Sequence, residues 1–423
     1  MNKNFYLRFQ PSDILGYFIY VIPLLLLTGS FLPDLFLSMS GLIFIYILYT
    51  SNEKKYLFNK FTFLFMIFYC YLIFSSMISQ HPDFSLRSTT FYFRYGLFSL
   101  AVWYVIDKNP NFIKNFLIAI SISFLIAILD GYYQFYAGEH IFNNLKINDD
   151  RLSLPFNQKL VLGAYISRLF PLLLALLIIF FNQSKTLYVV IGILLILTDT
   201  LIYLTGERTA LGLMMVSTLF ILAFLNKFRV LRLVALLTSL FVIIIISFSN
   251  PDIKQRNYDY TISQLGLSEN SNKIYLLSPQ HESHFKSAWL MFKDNKLFGV
   301  GPNNFRKFCS KDKYLINHLS CSTHPHNTYI QILAETGIIG ISFIIFLMIY
   351  FFKKILIHFL SLFKIKFNSL SNYQVCIISC FALTLFPFLP TLNFFNNWIN
   401  VIYFLPVGFY LQSIFSRDNN VES

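Results

Sequence analysis

The chain has 423 residues, 56% of them hydrophobic and only 13% charged, with a formal net charge of +13. That balance excludes an ordinary water-soluble domain. Apolar runs near the ~20 residues needed to cross a bilayer recur along it, so the positive charge reports membrane topology. No nucleic-acid-binding motif appears.

In chain order, hydropathy predicts about twelve membrane-spanning helices, at roughly 14–29, 33–50, 61–79, 89–106, 113–135, 160–181, 186–205, 209–225, 231–248, 327–352, 373–389 and 398–415. The first run follows Lys3 and Arg8 but lacks a small-residue cleavage site, which reads as a retained helix. The alternating pattern of an outer-membrane barrel is absent. The expected fold class is an all-α polytopic integral membrane protein forming one integrated membrane domain. Helices 1–9 lie within 1–248, a partly helical insert at 249–325, and helices 10–12 within 326–423. No internal repeat or low-complexity linker is found.

Loop charge sets the expected orientation. One set of loops carries Lys3, Arg8, Lys54, Lys55, Lys60, Lys108, Lys114, Lys185, Lys227, Arg229, Arg232, Lys353, Lys354, Lys364, Lys366 and Arg417. The short loops on the other side carry Arg87, Lys146, Arg151, Lys159 and Arg208. Both termini are therefore expected in the cytoplasm and the insert on the outer side. The insert holds Cys309 and Cys321, and an oxidising compartment favours a disulfide between them; the alternative is two free, buried thiols. Cys70, Cys376 and Cys380 lie within apolar spans.

Polarity inside the spans is lopsided. Arg94, Asp130, Arg168, Asp199 and Glu335 each fall about 5–10 residues from the outer boundary, or ~8–15 Å at the helical rise. Every histidine except His358 also falls on the outer side. A transporter needs polar groups near the midplane with access to both faces. An enzyme working on a lipid headgroup needs a polar cavity open to one face, and the pattern favours that. Snorkelling of long side chains is the competing explanation, and it predicts similar numbers on the inner side.

The most informative run is His324-Pro325-His326-Asn327, followed by Gly337-Ile338-Ile339-Gly340. Pro325 suits the first turn of a helix. Asn327, Gln331 and Glu335 then form one polar stripe on an apolar helix, as if lining a cavity. Gly337 and Gly340 would let another helix approach closely. Imidazole is the side chain best suited to proton transfer near neutral pH, so His326 is read as a proton-transfer or charge-stabilising group; the alternative is a histidine that caps the helix. Arg208, in the short Gly206–Ala210 turn, offers a planar fork for phosphate oxygens, unless it merely pairs with Glu207. Arg151, opening Arg151-Leu152-Ser153-Leu154-Pro155-Phe156, is a weaker anion-binding candidate.

In the insert, His281-Glu282-Ser283-His284 leads into Phe285, Ala288, Trp289 and Phe292, spaced as an amphipathic helix lying on the membrane or the bundle. The following Gly299-Val300-Gly301-Pro302 reads as a tight loop and lacks the lysine and hydroxyl of a P-loop. A zinc site is conceivable from His281, His284, His318, His324, His326 and the two cysteines. Without an HExxH motif or a metal-knuckle cysteine spacing, no metal and no cofactor is expected.

Together these residues resemble the O-antigen ligase/polymerase family of membrane glycosyltransferases. The resemblance rests on His326-Asn327 separated by nine residues from Gly337-x-x-Gly340, on Arg208 in its short turn, on Phe-x-x-Asn-x-x-Phe-Gly-Val-Gly-Pro at 292–302, and on the Arg-Leu-Ser-x-Pro-Phe run at 151–156 leading to Gly163. It implies metal-independent transfer of a glycan from undecaprenyl diphosphate in the bacterial inner (cytoplasmic) membrane, with the site facing the periplasm. The acceptor would be a sugar hydroxyl of lipid A–core in a ligase, or the next lipid-linked unit in a polymerase. A relative attaching glycans to protein is a further alternative. By position, Arg208 corresponds to the arginine that binds the donor diphosphate and His326 to the essential histidine. The family's second arginine before the insert tryptophan is missing from His284-Phe285-Lys286-Ser287-Ala288-Trp289, so Lys286, His284 or Arg306 is expected to replace it. His324, Asn327, Gln331 and Glu335 complete the expected substrate-binding set, with Asn327 or Glu335 orienting His326. Without paired carboxylates at a nucleophile spacing, an inverting single displacement is expected. A soluble nucleotide-sugar enzyme is excluded by the lack of a Rossmann pattern. A lipid-linked glycan flippase or other transporter is the reading from another class.

Overall fold

The computed structural model describes residues 10–51, 53–146, 151–180, 184–225, 228–267, 273–363 and 369–419. Lys3, Arg8, Lys227, Lys364 and Lys366, counted above for orientation, lie outside the described residues. The first apolar rod joins α1 (Pro11–Tyr20), α2 (Ile22–Leu25) and a 3-10 turn. After it come α3 (Phe31–Ser51), α4 (Lys60–Met77), α5 (Pro82–Thr89), α6 (Phe93–Lys108) and α7 (Phe112–Ala137). The next group is α8 (Leu162–Phe180), α9 (Lys185–Leu204), α10 (Arg208–Phe224) and α11 (Arg229–Ser249). The insert contributes α12 (Pro251–Lys254), α13 (Tyr260–Gln264), α14 (Pro279–Asp294) and α15 (Phe305–Phe308). The chain ends with α16 (Thr328–Leu362), α17 (Asn372–Thr384) and α18 (Asn397–Asn419).

Nine helices among the described residues are long and apolar enough to cross a membrane. In a bilayer each backbone polar group must be satisfied within its own segment, which is why such runs become helices. The other three expected spans are the shorter helices α6, α10 and α17, of 16, 17 and 13 residues. The eleventh span stops at Thr384 rather than 389, because Pro387 and Pro390 cannot continue a helix. Residues 385–396 instead form an irregular segment. Helix starts follow local chemistry: Asn59, Ser184, Ser278, Asn327 and Ser371 each accept hydrogen bonds from the first turn of the helix they precede, satisfying otherwise orphaned N–H groups.

The apolar pattern decides which helix is central. In α8 every residue from Leu162 to Leu177 is buried, as expected of a helix hydrophobic all round. In α11 the buried residues are Arg232, Ala235 and Ser239, while Val230, Leu233, Leu237 and Phe241 face outward. Arg232 is thus not an inner-loop cation. It donates to Asp199 Oδ2 of α9 at 2.6 Å and to the Thr218 hydroxyl of α10, and Ser239 also donates to Asp199. A guanidinium in an apolar bundle is costly unless paired and hydrogen-bonded, and here all three nitrogens donate.

α16 departs from expectation. Gly337 has φ 66°, breaking the helix, and its missing side chain makes room for the Leu297 carbonyl. Residues 296–301 of the insert fill the break. Val300 and Gly301 N–H groups donate to the carbonyls of Ala334 and Glu335 at 3.0 and 2.8 Å, and Ile338 N–H donates to the Lys296 carbonyl at 2.8 Å. The glycine therefore admits a turn of the insert, not a second helix. Gly340, one turn on, faces Tyr71 of α4. Under the insert lies a small separate core of Ala288, Met291, Val300, Phe305, Phe308, Cys309, Tyr314 and Ala334. Beside it Cys309 and Cys321 form a disulfide, with Cα atoms 5.1 Å apart, within the usual range.

Candidate active site

The start of α16 is clamped by the segment between α17 and α18. His326 sits in the left-handed region at φ 57°, a conformation that costs a non-glycine residue about 1–3 kcal/mol and persists only when its surroundings fix it. Thr391 fixes it: its N–H donates to the His326 carbonyl at 2.9 Å, and its carbonyl lies 3.0 Å from His324 Nε2. The twist turns the His326 ring toward α14. His324 and His326 lie with ring centroids 4.1 Å apart. α14 adds His281 and His284, at 5.6 and 5.4 Å from His326. Four imidazoles from two stretches of chain thus form one cluster.

Their electrostatics follow from packing. Burial pushes His326 down to about 3, with His324, His281 and His284 adding to the shift. Burial likewise takes His324 and His281 to about 4, and it lowers His284 against the pull of the Cys321 and Leu319 carbonyls. All four rings are neutral at pH 7. His326 Nε2 lies 3.0 Å from Ser322 Oγ, and His281 Nδ1 lies 2.6 Å from Ser278 Oγ.

A guanidinium stands at each end of the cluster. Arg306 is close enough to lower His324, and Arg208 to lower His281. Arg208 does not pair with Glu207; it donates to Gln264 Oε1 at 2.6 Å. The Glu207 carboxylate turns away to accept Gly163 and Ala164 N–H groups at 2.7 and 3.1 Å, capping α8, a favourable place for a negative charge. Burial raises it to about 7, opposed by those N–H groups and by Arg151 and Arg168. Arg151 lies near enough to Arg208 for the two charges to repel, and the Arg256 guanidinium packs on Gly206. Two residues after Arg151, Ser153 is held by a buried relay. Asp130 Oδ2 lies 2.9 Å from His140 Nδ1, and His140 Nε2 lies 3.1 Å from Ser153 Oγ.

The remaining expected residues divide. Lys286 points away from the cluster, exposed and paired with Glu282 at 3.4 Å. His284, on the opposite face of α14, is the member that enters. That buried face is Ser283, His284, Ser287, Ala288 and Met291, while Trp289 is exposed and Phe285 and Phe292 are half-buried. Neither Asn327 nor Glu335 orients His326. The Asn327 amide caps α16 and donates to the Pro387 carbonyl at 2.8 Å. The Glu335 carboxylate accepts Asn303 and Phe305 N–H groups at 3.0 and 2.9 Å. Gln331 donates to Glu335 and to Asn393 Oδ1, so the polar stripe ties loops together rather than lining open space. Sequence reasoning missed Ser322, Thr391, Asn303 and Asn393, which act from irregular segments without a periodic signal. Among the described residues no three His, Cys, Asp or Glu side chains converge as a metal site.

No individual curated protein matches the chain. Residues 170–345 match the O-antigen ligase family. That stretch includes Arg208, α14, Arg306, the disulfide, the histidine cluster and the broken helix. Arg208, the insert run at 292–302 and His326 through Gly340, which carry the sequence resemblance, fall within this match, whereas the Arg151–Phe156 run lies before it, and the match supports the O-antigen ligase family over residues 170–345.

Proposed function

We propose that the protein moves a glycan from undecaprenyl diphosphate to a sugar hydroxyl of lipid A–core at the periplasmic face of the bacterial inner membrane. The family match over residues 170–345 supports a glycan-transferring membrane enzyme of ligase or polymerase type; donor, acceptor and sidedness are part of this reading. The observation that carries it is the neutral imidazole cluster beside the Arg208–Arg151 pair, two cations close enough to repel, with the Glu207 carboxylate turned away to cap α8.

In the reaction, His326 takes the proton from the acceptor hydroxyl as its oxygen attacks the anomeric carbon. The bond from that carbon to the phosphate oxygen breaks with its electron pair. Arg208 and Arg151 hold the departing undecaprenyl diphosphate, whose developing charge is the main barrier. A burial-depressed imidazole is a weak base alone, but the arriving diphosphate favours the imidazolium and raises its pKa where it is needed. A single displacement inverts the anomeric centre. The test is reconstitution in liposomes with purified lipid-linked donor and a choice of lipid A–core, lipid-linked repeat or protein acceptor. The expected product is glycosylated lipid A–core of inverted configuration. Transfer only to a second lipid-linked unit would establish a polymerase, and retained configuration would refute the displacement.

A further inference from the structure

Arg306, which acts on His324, also lines a cleft of about 240 Å³ together with Ser30, Asn303, Asn393, Asn396 and Asn397, with Phe395 as one wall. We infer that this cleft is the subsite for the accepting sugar, an inference that rests on the glycan-transfer reading above. Its lining has the chemistry of a hydroxyl-rich ligand. Each asparagine amide both donates and accepts, as sugar hydroxyls do, and an aromatic wall can cover the apolar face of a sugar ring. The volume falls below the ~300–1,000 Å³ of ordinary drug-sized pockets, so it suits one sugar residue rather than a whole repeat unit.

The walls are built and held, not left by chance. Asn393 donates to Asn303 Oδ1 at 3.0 Å and accepts from Gln331 and from the Phe395 N–H. Asn303, at φ 60°, is pinned by the Glu335 carboxylate and donates to Ser88 Oγ at 2.9 Å. Asn397 donates to Asp34 Oδ2 at 3.0 Å, and Asp34 is itself forked by Arg94. Arg306 donates to Asn303 Oδ1 at 3.0 Å, yet among the described residues its buried Nε–H finds no partner. A buried donor left unpaired is costly, and a ligand oxygen in the cleft would satisfy it.

Position separates acceptor from donor. The cleft adjoins the Arg306–His324 end of the histidine cluster, whereas Arg208 and Arg151 mark the other. A donor diphosphate at Arg208 and an acceptor sugar at Arg306 would meet at His326 from opposite sides, as a single displacement requires.

Two variants test it. Ser30→Trp fills the cleft from a wall whose hydroxyl accepts from an exposed Lys159 amine at 3.2 Å. Asn396→Asp keeps the oxygen that accepts Trp398 and Ile399 N–H groups but removes the amide donor. The probe is lipid-free core oligosaccharide, with binding read by saturation-transfer NMR on the full chain in detergent and turnover by transfer in liposomes. Both variants are expected to weaken oligosaccharide binding at least tenfold and raise the acceptor KM by as much, with donor KM unchanged. His326→Ala is expected to bind the oligosaccharide normally while transferring nothing. Wild-type binding and acceptor KM in both variants would overturn the cleft assignment, as would no binding to the unaltered protein. Oligosaccharide bound in the cleft but never glycosylated would support the subsite and defeat only the ligase reading.

Discussion

At the scale of single residues, the site turns on one strained histidine kept neutral by burial. A proton acceptor must be unprotonated, and His326 stays so far below the ordinary histidine range. The acid limb of kcat/KM, which reports the free enzyme, is therefore expected below about pH 5, whereas an unperturbed imidazole near 6.5 would place it higher. The limb of kcat should lie at higher pH, because bound diphosphate stabilises the imidazolium. Coincident limbs near pH 6.5 would show that burial does not set the base. His326→Ala is expected to lower kcat by about 10²–10⁴-fold, the usual worth of a positioned base, with the protein still inserted in the membrane. Ser322→Ala removes the hydroxyl at His326 Nε2. It should cut kcat by about tenfold, as for a lost hydrogen bond, and move the kcat limb, whereas a merely structural serine would leave the pH profile in place. At Arg208, lysine keeps the charge but loses the fork. Steady-state rates should show a kcat/KM loss of about 10- to 100-fold, from the ~1.5–3 kcal/mol of a charged hydrogen bond; unchanged turnover would count against diphosphate binding there. His326, His324 and Arg208 were legible in the sequence because polar groups bordering apolar helices carry a cost that asks for a reason. Ser322 and Thr391 were not, since their role is created by a backbone twist that no side-chain pattern encodes.

Among elements, the helices were readable because hydropathy and length leave the backbone no other way to cross a bilayer. What escaped was discontinuity. Gly337-x-x-Gly340 carries the same letters whether it packs two helices or breaks one, and only the φ of 66° at Gly337 decides. The break lets residues 296–301 enter α16, which sets the height of Glu335 and hence of Asn303 and Phe305. Gly337→Ala would overlap the Leu297 carbonyl and force a side chain into a left-handed conformation, a strain of about 1–3 kcal/mol before any clash. The expected result is a lowered thermal midpoint in detergent and lost transfer. Gly340→Ala meets chiefly its own helix's Thr336 and the Tyr71 ring and should perturb α4 packing instead. Equal midpoints for wild type and Gly337→Ala would mean that the insert does not depend on the break. Arg232 shows the opposite failure: its position near the start of α11 suggested a loop cation, yet three helices supply Asp199, Thr218 and Ser239 to bury it.

For the whole molecule, the question is which face holds the site. The buried pair Asp199–Arg232 within the bundle is closed by its own hydrogen bonds, unlike the accessible midplane groups an alternating-access carrier needs. The histidine cluster, Arg208, Arg151 and the asparagine cleft share one end of the bundle. At the other end Lys108 pairs with Glu53 and Lys55 with Asp107, so net charge there is partly cancelled. Orientation nonetheless follows the count of lysine and arginine, not net charge, and on that count we propose that the site end faces outside. Lys54 and Lys286 are exposed at opposite ends, which permits a direct test. Of the native thiols, Cys309 and Cys321 are bonded to each other, Cys376 and Cys380 are buried, and Cys70 lies in the apolar α4, so a membrane-impermeant maleimide should meet little background. Lys286→Cys is expected to label in intact cells with permeabilised outer membranes, and Lys54→Cys only after the inner membrane is opened. The reverse pattern would place the cluster in the cytoplasm, away from any periplasmic acceptor, and would end the ligase reading even if every residue-scale prediction held.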